Sequence, residues 1–294
     1  MPTAYLAVPP ILGSAGKLYP PILALHGAGV DIFGQQFWTQ SIPRNKHSWL
    51  VFPSGRTSWA RIIVSNGLGW HGPSARDALE ALDSLFFILK NNSHWKQWEI
   101  QSKPRFVLLG HSNGGQGAWY LASRYPDRIL GGMKYAFTAE MIPAAGYIKS
   151  QAYVPLTMSR SGHFIDPALR GLLETSLTPD DNDLHLSNLV DIPVLAIHGA
   201  EDRNVPTWHS REAISILRAQ EAEYVTFQED AGKDHWYSTV FDNVVVRDFL
   251  GCLMNESPSQ AKKIPEEFTL TVSDPHASGS LYGWKIESLL LPGR

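Results

Sequence analysis

Gly110-His111-Ser112-Asn113-Gly114 sets a serine among glycines directly after the apolar run Phe-Val-Leu-Leu at 106–109. A serine hydroxyl is a poor nucleophile until a base takes its proton; with a base in place it attacks carbonyl carbon. The spacing G-x-S-x-G suits a nucleophile held on a strained turn between a strand and a helix. Glycine is otherwise a poor choice inside either element, where it costs roughly 0.5–1 kcal/mol relative to alanine. The chemistry implied is acyl transfer through a covalent intermediate. It calls for a base, an acid to orient that base, and donors for the oxyanion.

Each part has a candidate further along the chain. "IPVLAIHGAEDRNVP" ends an apolar run and puts Asp202 in the loop beyond it, with Glu201, Asp230 and Asp234 as rival acids. "AGKDHWYSTVF" puts His235 in a loop before an apolar, helix-like run. The order serine, acid, histidine is that of an α/β-hydrolase triad. One oxyanion donor is expected from the backbone N–H of Asn113, and a second from Gly27 or Ala28 in "LHGAGVD". In the aromatic stretch 54–77, Trp59, Trp70 and His71 are candidate pocket residues, and Arg56 or Arg61 could hold a carboxylate. The competing reading of that stretch is a surface loop pinned by aromatic packing. His111 is expected to pack beneath the turn, and His26 and His198 to be structural. No His, Asp or Glu spacing suggests a metal, and the glycines at 110, 114, 115 and 117 do not fit a dinucleotide fingerprint, so no cofactor is expected.

These residues need a scaffold that brings them together. Continuous apolar runs at 21–27, 48–53, 105–112 and 192–199 read as buried parallel strands. Between them lie helical patterns. Residues 74–91 carry Ala78, Leu82, Leu85 and Leu89 on one stripe, with Ser74 as N-cap; 115–125 run until Pro126, and 207–222 form a third. Strands alternating with helices predict βαβ crossovers and a mainly parallel sheet, an α/β fold. Residues 1–254 form the expected catalytic domain, with 147–190 read as a cap-like insertion on its rim. Residues 255–294 read as a linker and C-terminal extension with one strand-like run, "EFTLTVSD", and as the possible start of a further domain.

Composition narrows the classes. With 294 residues, 44% of them hydrophobic and 18% charged, the chain reads as an ordinary globular protein. A net charge of −3 gives no electrostatic case for nucleic acid or an anionic membrane, and no run reaches the ~20 apolar residues of a span. A single cysteine, Cys252, excludes an internal disulfide and a cysteine-rich zinc site. The first residues lack a basic segment and carry two prolines where an apolar core would sit, so no signal peptide is expected and the cytoplasm is favoured. Oligomeric state is not readable.

The pieces "LHGAG", "GHSNGGQGAWYLASRYPDR", "IPVLAIHGAEDRNVP" and "GKDHW" resemble the α/β-hydrolase fold, and more narrowly the prolyl oligopeptidase-like serine hydrolases, over roughly residues 20–250. The run after the elbow is also similar to feruloyl-esterase and polyester-depolymerase esterases. The resemblance implies Ser112 as nucleophile, Asp202 as acid and His235 as base, acting on an ester or short peptide. Two departures stand out. No N-terminal β-propeller lies in this chain, and the first oxyanion loop has no clear tyrosine. Two other classes are weighed: a catalytically silent hydrolase fold that binds a partner, and an acyltransferase in which another nucleophile replaces water.

Overall fold

A computed structural model describes residues 4–12, 19–55, 69–100, 105–130, 140–149, 166–255 and 264–290. Seven strands form one sheet: β1 (Tyr5–Val8), β2 (Ile22–Leu25), β3 (Leu50–Pro53), β4 (Val107–His111), β5 (Met141–Ala144), β6 (Val194–Gly199) and β7 (Val225–Asp230). Their order is β1-β3-β2-β4-β5-β6-β7. Only β1 runs antiparallel, against β3; all other pairs are parallel. Alternate residues of the central strands feed two cores. Leu23, Leu25 and Leu108 face one layer of helices, while Ile22, Ala24, Val107 and Leu109 face the other. Both faces are covered, which is why these strands are continuously apolar. This is the α/β-hydrolase architecture.

The first layer holds α2 (Pro73–Asn91), α3 (Asn113–Arg124) and α6 (Trp208–Ala219). Ala78, Leu82, Leu85 and Leu89 are buried on one face of α2, as their spacing predicts. The start differs from expectation. Gly72, at φ 49°, precedes the helix and Pro73 opens it, so Ser74 lies inside rather than at the cap. Pro126 does end α3, but it also starts the short helix α4 (Pro126–Leu130), since proline suits a first helical position. On the other face lie α1 (Gln36–Ser41) and α7 (Val244–Asn255). The helix expected straight after His235 therefore begins nine residues later.

Two regions depart further from the sequence reading. Within 147–190, helix α5 (Pro167–Leu177) is exposed, with Leu169 and Leu172 open to solvent. The 3-10 helix Asn182–Leu189 is instead built into the core. Leu186 and Leu189 are buried, and the Asn182 and Asn188 amides donate to the Gln116 and Ser123 carbonyls of α3. The segment 264–290 lies against the same surface. The strand expected at 267–274 joins no sheet among the described residues. The Asn188 side chain takes the place of a strand partner, donating to the Thr271 carbonyl at 2.8 Å and accepting its N–H at 2.8 Å. Asp127 accepts from the Ser280 hydroxyl and from the Tyr282 and Gly283 N–H groups.

Candidate active site

The carboxyl end of β4 delivers Ser112 onto a tight turn at φ 58°, a region a side chain enters at a cost. Two glycines make the turn possible. A Cβ on Gly110 would lie 2.1 Å from the Gly114 carbonyl oxygen, and one on Gly114 would lie 1.9 Å from that of Leu25. Helix α3 therefore starts almost in contact with β2 and β4, and Ser112 stands at its head. The β2–α1 loop passes beside it: a Cβ on Gly27 would sit 3.3 Å from the Ser112 Cβ. The first N–H groups of α3, that of Asn113 among them, have no partner within the helix and carry its positive end.

His235 arrives from the loop after β7 and Asp202 from the loop after β6. The Ser112 Oγ lies 2.8 Å from His235 Nε2, and His235 Nδ1 lies 2.7 Å from Asp202 Oδ2. The two loops are bound to each other. The Glu201 N–H donates to the Lys233 carbonyl at 2.9 Å, and Arg203 forms an ion pair with Asp234. The rival acids are accounted for elsewhere. Asp234 is held by Arg203, Asp230 accepts the Tyr237 hydroxyl, and Glu201 is exposed. Only Asp202 meets the imidazole.

Asp202 is the best-supplied group in the site. Its side chain is fully buried. Oδ1 accepts the Asn204 and Val205 N–H groups at 2.8 Å each, and Oδ2 receives both His235 and His198 Nε2, the latter at 3.1 Å. Burial alone pushes this carboxyl upward, but the bonds from His198 and His235 outweigh it and hold it well below the usual carboxylate range. His198 shares its Nε2–H with the Val205 carbonyl at 2.9 Å. Its Nδ1 lies 2.8 Å from the Ser210 hydroxyl, so both ring nitrogens are bonded and the imidazole is held in place. The expectation of a structural His198 thus missed its contact with the acid; its spacing four residues before Asp202 was the available signal.

His111 also does more than pack under the turn. Its Nε2–H donates to the backbone carbonyl of His235 at 2.7 Å, and the two rings lie 4.9 Å apart. The residue before the serine thereby fixes the main chain that carries the histidine. Burial, with His235 nearby, lowers His111 to about 3, so it stays neutral and keeps a single N–H to give. Asn113 faces the rim, its Oδ1 accepting the Tyr147 hydroxyl at 3.3 Å.

The pocket expectations fare differently. Trp59, with Arg56 and Arg61, lies outside the described residues. Trp70 does not line a pocket. It is fully buried, its indole N–H donates to the His26 carbonyl at 3.0 Å, and a Cβ on Gly117 would lie 2.6 Å from its Cβ. A large apolar ring set against a bare stretch of helix gains more from burial than from facing substrate. His71 is turned away as well. Its Nδ1 lies 2.9 Å from Asp180, off the hydrogen-bonding axis, and its ring meets that of Tyr120. It lines a cavity of about 290 Å³ with Tyr120, Arg124 and Asp274. Tyr120 and Arg124 stand roughly 12 and 18 Å along α3 from Ser112 at 1.5 Å per residue, so this cavity is not at the nucleophile. Among the described residues, no three of His, Cys, Asp and Glu group as metal ligands, and no helix is long and apolar enough to cross a membrane.

The buried histidines set a pH dependence. Burial lowers His26, His185 and His209 from an ordinary 6.5 to about 4, and His111 further. The unfolded chain protonates these rings below about 6.5 while the folded one refuses the proton, so stability is complete above that pH and falls as pH drops toward 4. Thermal unfolding followed by circular dichroism should show a flat Tm from pH 8 to 7 and a steady fall from 6.5 to 4. A Tm still at its plateau at pH 4.5 would contradict the burial of these groups as neutral rings.

The sequence model of the prolyl oligopeptidase family matches residues 88–250. An uncharacterized secreted protein of Arthroderma benhamiae is 29% identical over 276 residues, covering 94% of this chain and 27% of its own. The chain thus spans about a quarter of that relative's length. Among solved structures, the acylaminoacyl peptidase of Pyrococcus horikoshii aligns at a TM-score of 0.59 and 16% identity, over 90% of this chain and 41% of that one. A puromycin-hydrolyzing peptidase of Mycobacterium tuberculosis aligns at 0.58 and 16%, over 90% and 39%. At such identities the structural likeness is one of fold.

Proposed function

The chain belongs to the prolyl oligopeptidase family, and from that premise we propose that it is a serine hydrolase cleaving an ester or amide through an acyl-enzyme on Ser112. The observation that carries this reading is the unbroken line from Ser112 Oγ through His235 to Asp202, with steps of 2.8 and 2.7 Å. Ser112 attacks the substrate carbonyl as His235 Nε2 takes its proton. Asp202 holds the other ring nitrogen as N–H and stabilises the imidazolium that forms. The backbone N–H groups of Asn113 and of Gly27 or Ala28 receive the oxyanion. His235 then gives its proton to the leaving atom, and water, activated by the same imidazole, releases the acyl group. A complete, hydrogen-bonded triad favours this over a silent binding module. The acylaminoacyl and puromycin-hydrolyzing peptidases of this fold support amides, and the elbow's likeness to esterases supports esters.

The test is active-site titration. A fluorophosphonate should add once per chain, with the mass increase on the peptide carrying Ser112, and 4-nitrophenyl acetate should show a burst equal to the enzyme concentration. Absence of both would refute the proposal.

The carboxylate's second histidine gives a separate expectation. His198→Phe keeps an aromatic ring at the site but removes one donor to Asp202 Oδ2 and the partner of the Ser210 hydroxyl. A hydrogen bond to a charged group is worth about 1.5–3 kcal/mol, so kcat/KM should fall by about 10- to 100-fold. A folded variant within twofold of the wild type would show that His198 does not support the acid.

A further inference from the structure

Resting on the reading above, we propose that Phe37 and Trp236, with Phe33 nearby in sequence, form the leaving-group subsite, and that it takes a ring-bearing apolar alcohol or amine. These aromatics are unusually open for their size: Trp236 is 37% exposed, Phe37 46% and Phe33 54%. Two exposed aromatics in contact offer a small apolar face for a ligand to cover. Phe37 and Trp236 meet edge to face at 5.4 Å. The indole is anchored on its other sides. It lies 6.3 Å from the buried Trp38 ring and 4.8 Å from the ring of His111, which itself holds the His235 carbonyl. A flat face held in this way binds another ring at little ordering cost.

Its place in the chain says what it binds. His235 must hand its proton to the leaving atom, so the leaving group lies along the imidazole side of Ser112. Trp236 follows that imidazole directly, and Phe33 and Phe37 follow the loop carrying Gly27 and Ala28, beside Ser112. The Trp236 ring is linked to that of His235 through one intervening ring, His111, by steps of 4.8 and 4.9 Å, and this closeness to the reacting base favours substrate as the occupant over a separate protein partner.

Acyl transfer reads this subsite by reversing acylation. After 4-nitrophenyl acetate forms the acetyl-enzyme, an added alcohol attacks the acyl carbon and gives its proton to His235. The bond from the acyl carbon to Ser112 Oγ breaks, and Oγ takes the proton back. With 2-phenylethanol and ethanol at equal concentration, the ratio of phenylethyl acetate to ethyl acetate measures the preference for a ring. Because both products arise from one acetyl-enzyme, any change in acylation rate cancels. The wild type should favour the phenyl alcohol more than about tenfold, as expected for burying a ring's apolar surface. Trp236→Ala should cut the ratio about tenfold, Phe37→Ala about threefold, and Trp236→Phe should keep most of it. Phe37 is exposed, so its variant carries the test alone should Trp236→Ala not fold. A ratio near one in the wild type, or one unmoved by the alanine variants, would overturn the subsite while leaving the triad intact. Failure of the wild type to form any acetyl-enzyme would overturn the nucleophile assignment and this proposal together.

Discussion

Replacing Ser112 by alanine should lower kcat for an aryl ester by about 10⁵- to 10⁶-fold and abolish fluorophosphonate labelling, while leaving thermal stability near that of the wild type. The magnitude is that seen when one member of a cooperative triad is removed: the remaining members cannot act without it. His235→Ala should fall to nearly the same residual rate, and the double variant should be scarcely worse than either, because base and nucleophile perform one proton transfer. The stability expectation has its own cause. Alanine keeps the Cβ and with it the cost of φ 58°, and the hydroxyl that is removed lies in a partly open site. Nothing in the fold requires the oxygen, so its loss exposes only the rate. Steady-state turnover with differential scanning calorimetry on the same samples checks both halves. Residual kcat within tenfold of the wild type would remove Ser112 from the mechanism.

Gly114→Ala should prevent folding to a stable native state, whereas Gly171→Ala should leave stability unchanged or slightly raised. At Gly114 the new methyl would lie 1.9 Å from the Leu25 carbonyl oxygen and 2.8 Å from that of His26. Backbone atoms of a central strand cannot yield as a flexible side-chain tip can, so the helix must lift off the sheet. Overpacking a tight core costs about 1–3 kcal/mol even where side chains give way, and a backbone collision should exceed that. With total stabilities of only about 5–15 kcal/mol, such a loss is enough to deplete the folded state. Gly171, inside the exposed helix α5, meets nothing within 4 Å, and alanine there gains up to about 1 kcal/mol of helix propensity. Soluble yield and unfolding temperature of the pair provide the measurement. A Gly114→Ala protein as stable as the wild type would show that the elbow is not as tight as its geometry implies.

The four parallel strands, the helix stripe of α2 and the strand-turn-helix around Ser112 were all legible in the sequence, because each expresses a local rule of periodicity or turn chemistry. The missed strands were missed for equally local reasons. β5 is only Met-Ile-Pro-Ala, and Pro143 argues against a central strand because it brings no N–H to the ladder. β7 reads Val-Thr-Phe-Gln-Glu-Asp, an edge strand whose polar half hides its pattern. Trp70 and His71 misled because their types suit a pocket, and residue type says nothing of the direction in which a side chain points.

By itself, the sequence determined the candidate groups: a serine on a glycine-lined turn, followed by an acid and a histidine in loops after strands. Asp202 and His235 were already named by resemblance; that they meet Ser112, and which groups support them, was decided only by the tertiary structure. Those contacts span 33 residues from Asp202 to His235 and 123 from Ser112 to His235. Their geometry follows from the order in which strands lie side by side and from how far each loop reaches beyond the sheet, and local propensity encodes neither. The same holds for His111, which holds the histidine's main chain 124 residues away, and for Trp236, whose ring comes to rest against it. Each contact exists because packing both faces of one sheet leaves the strand ends a single place to converge.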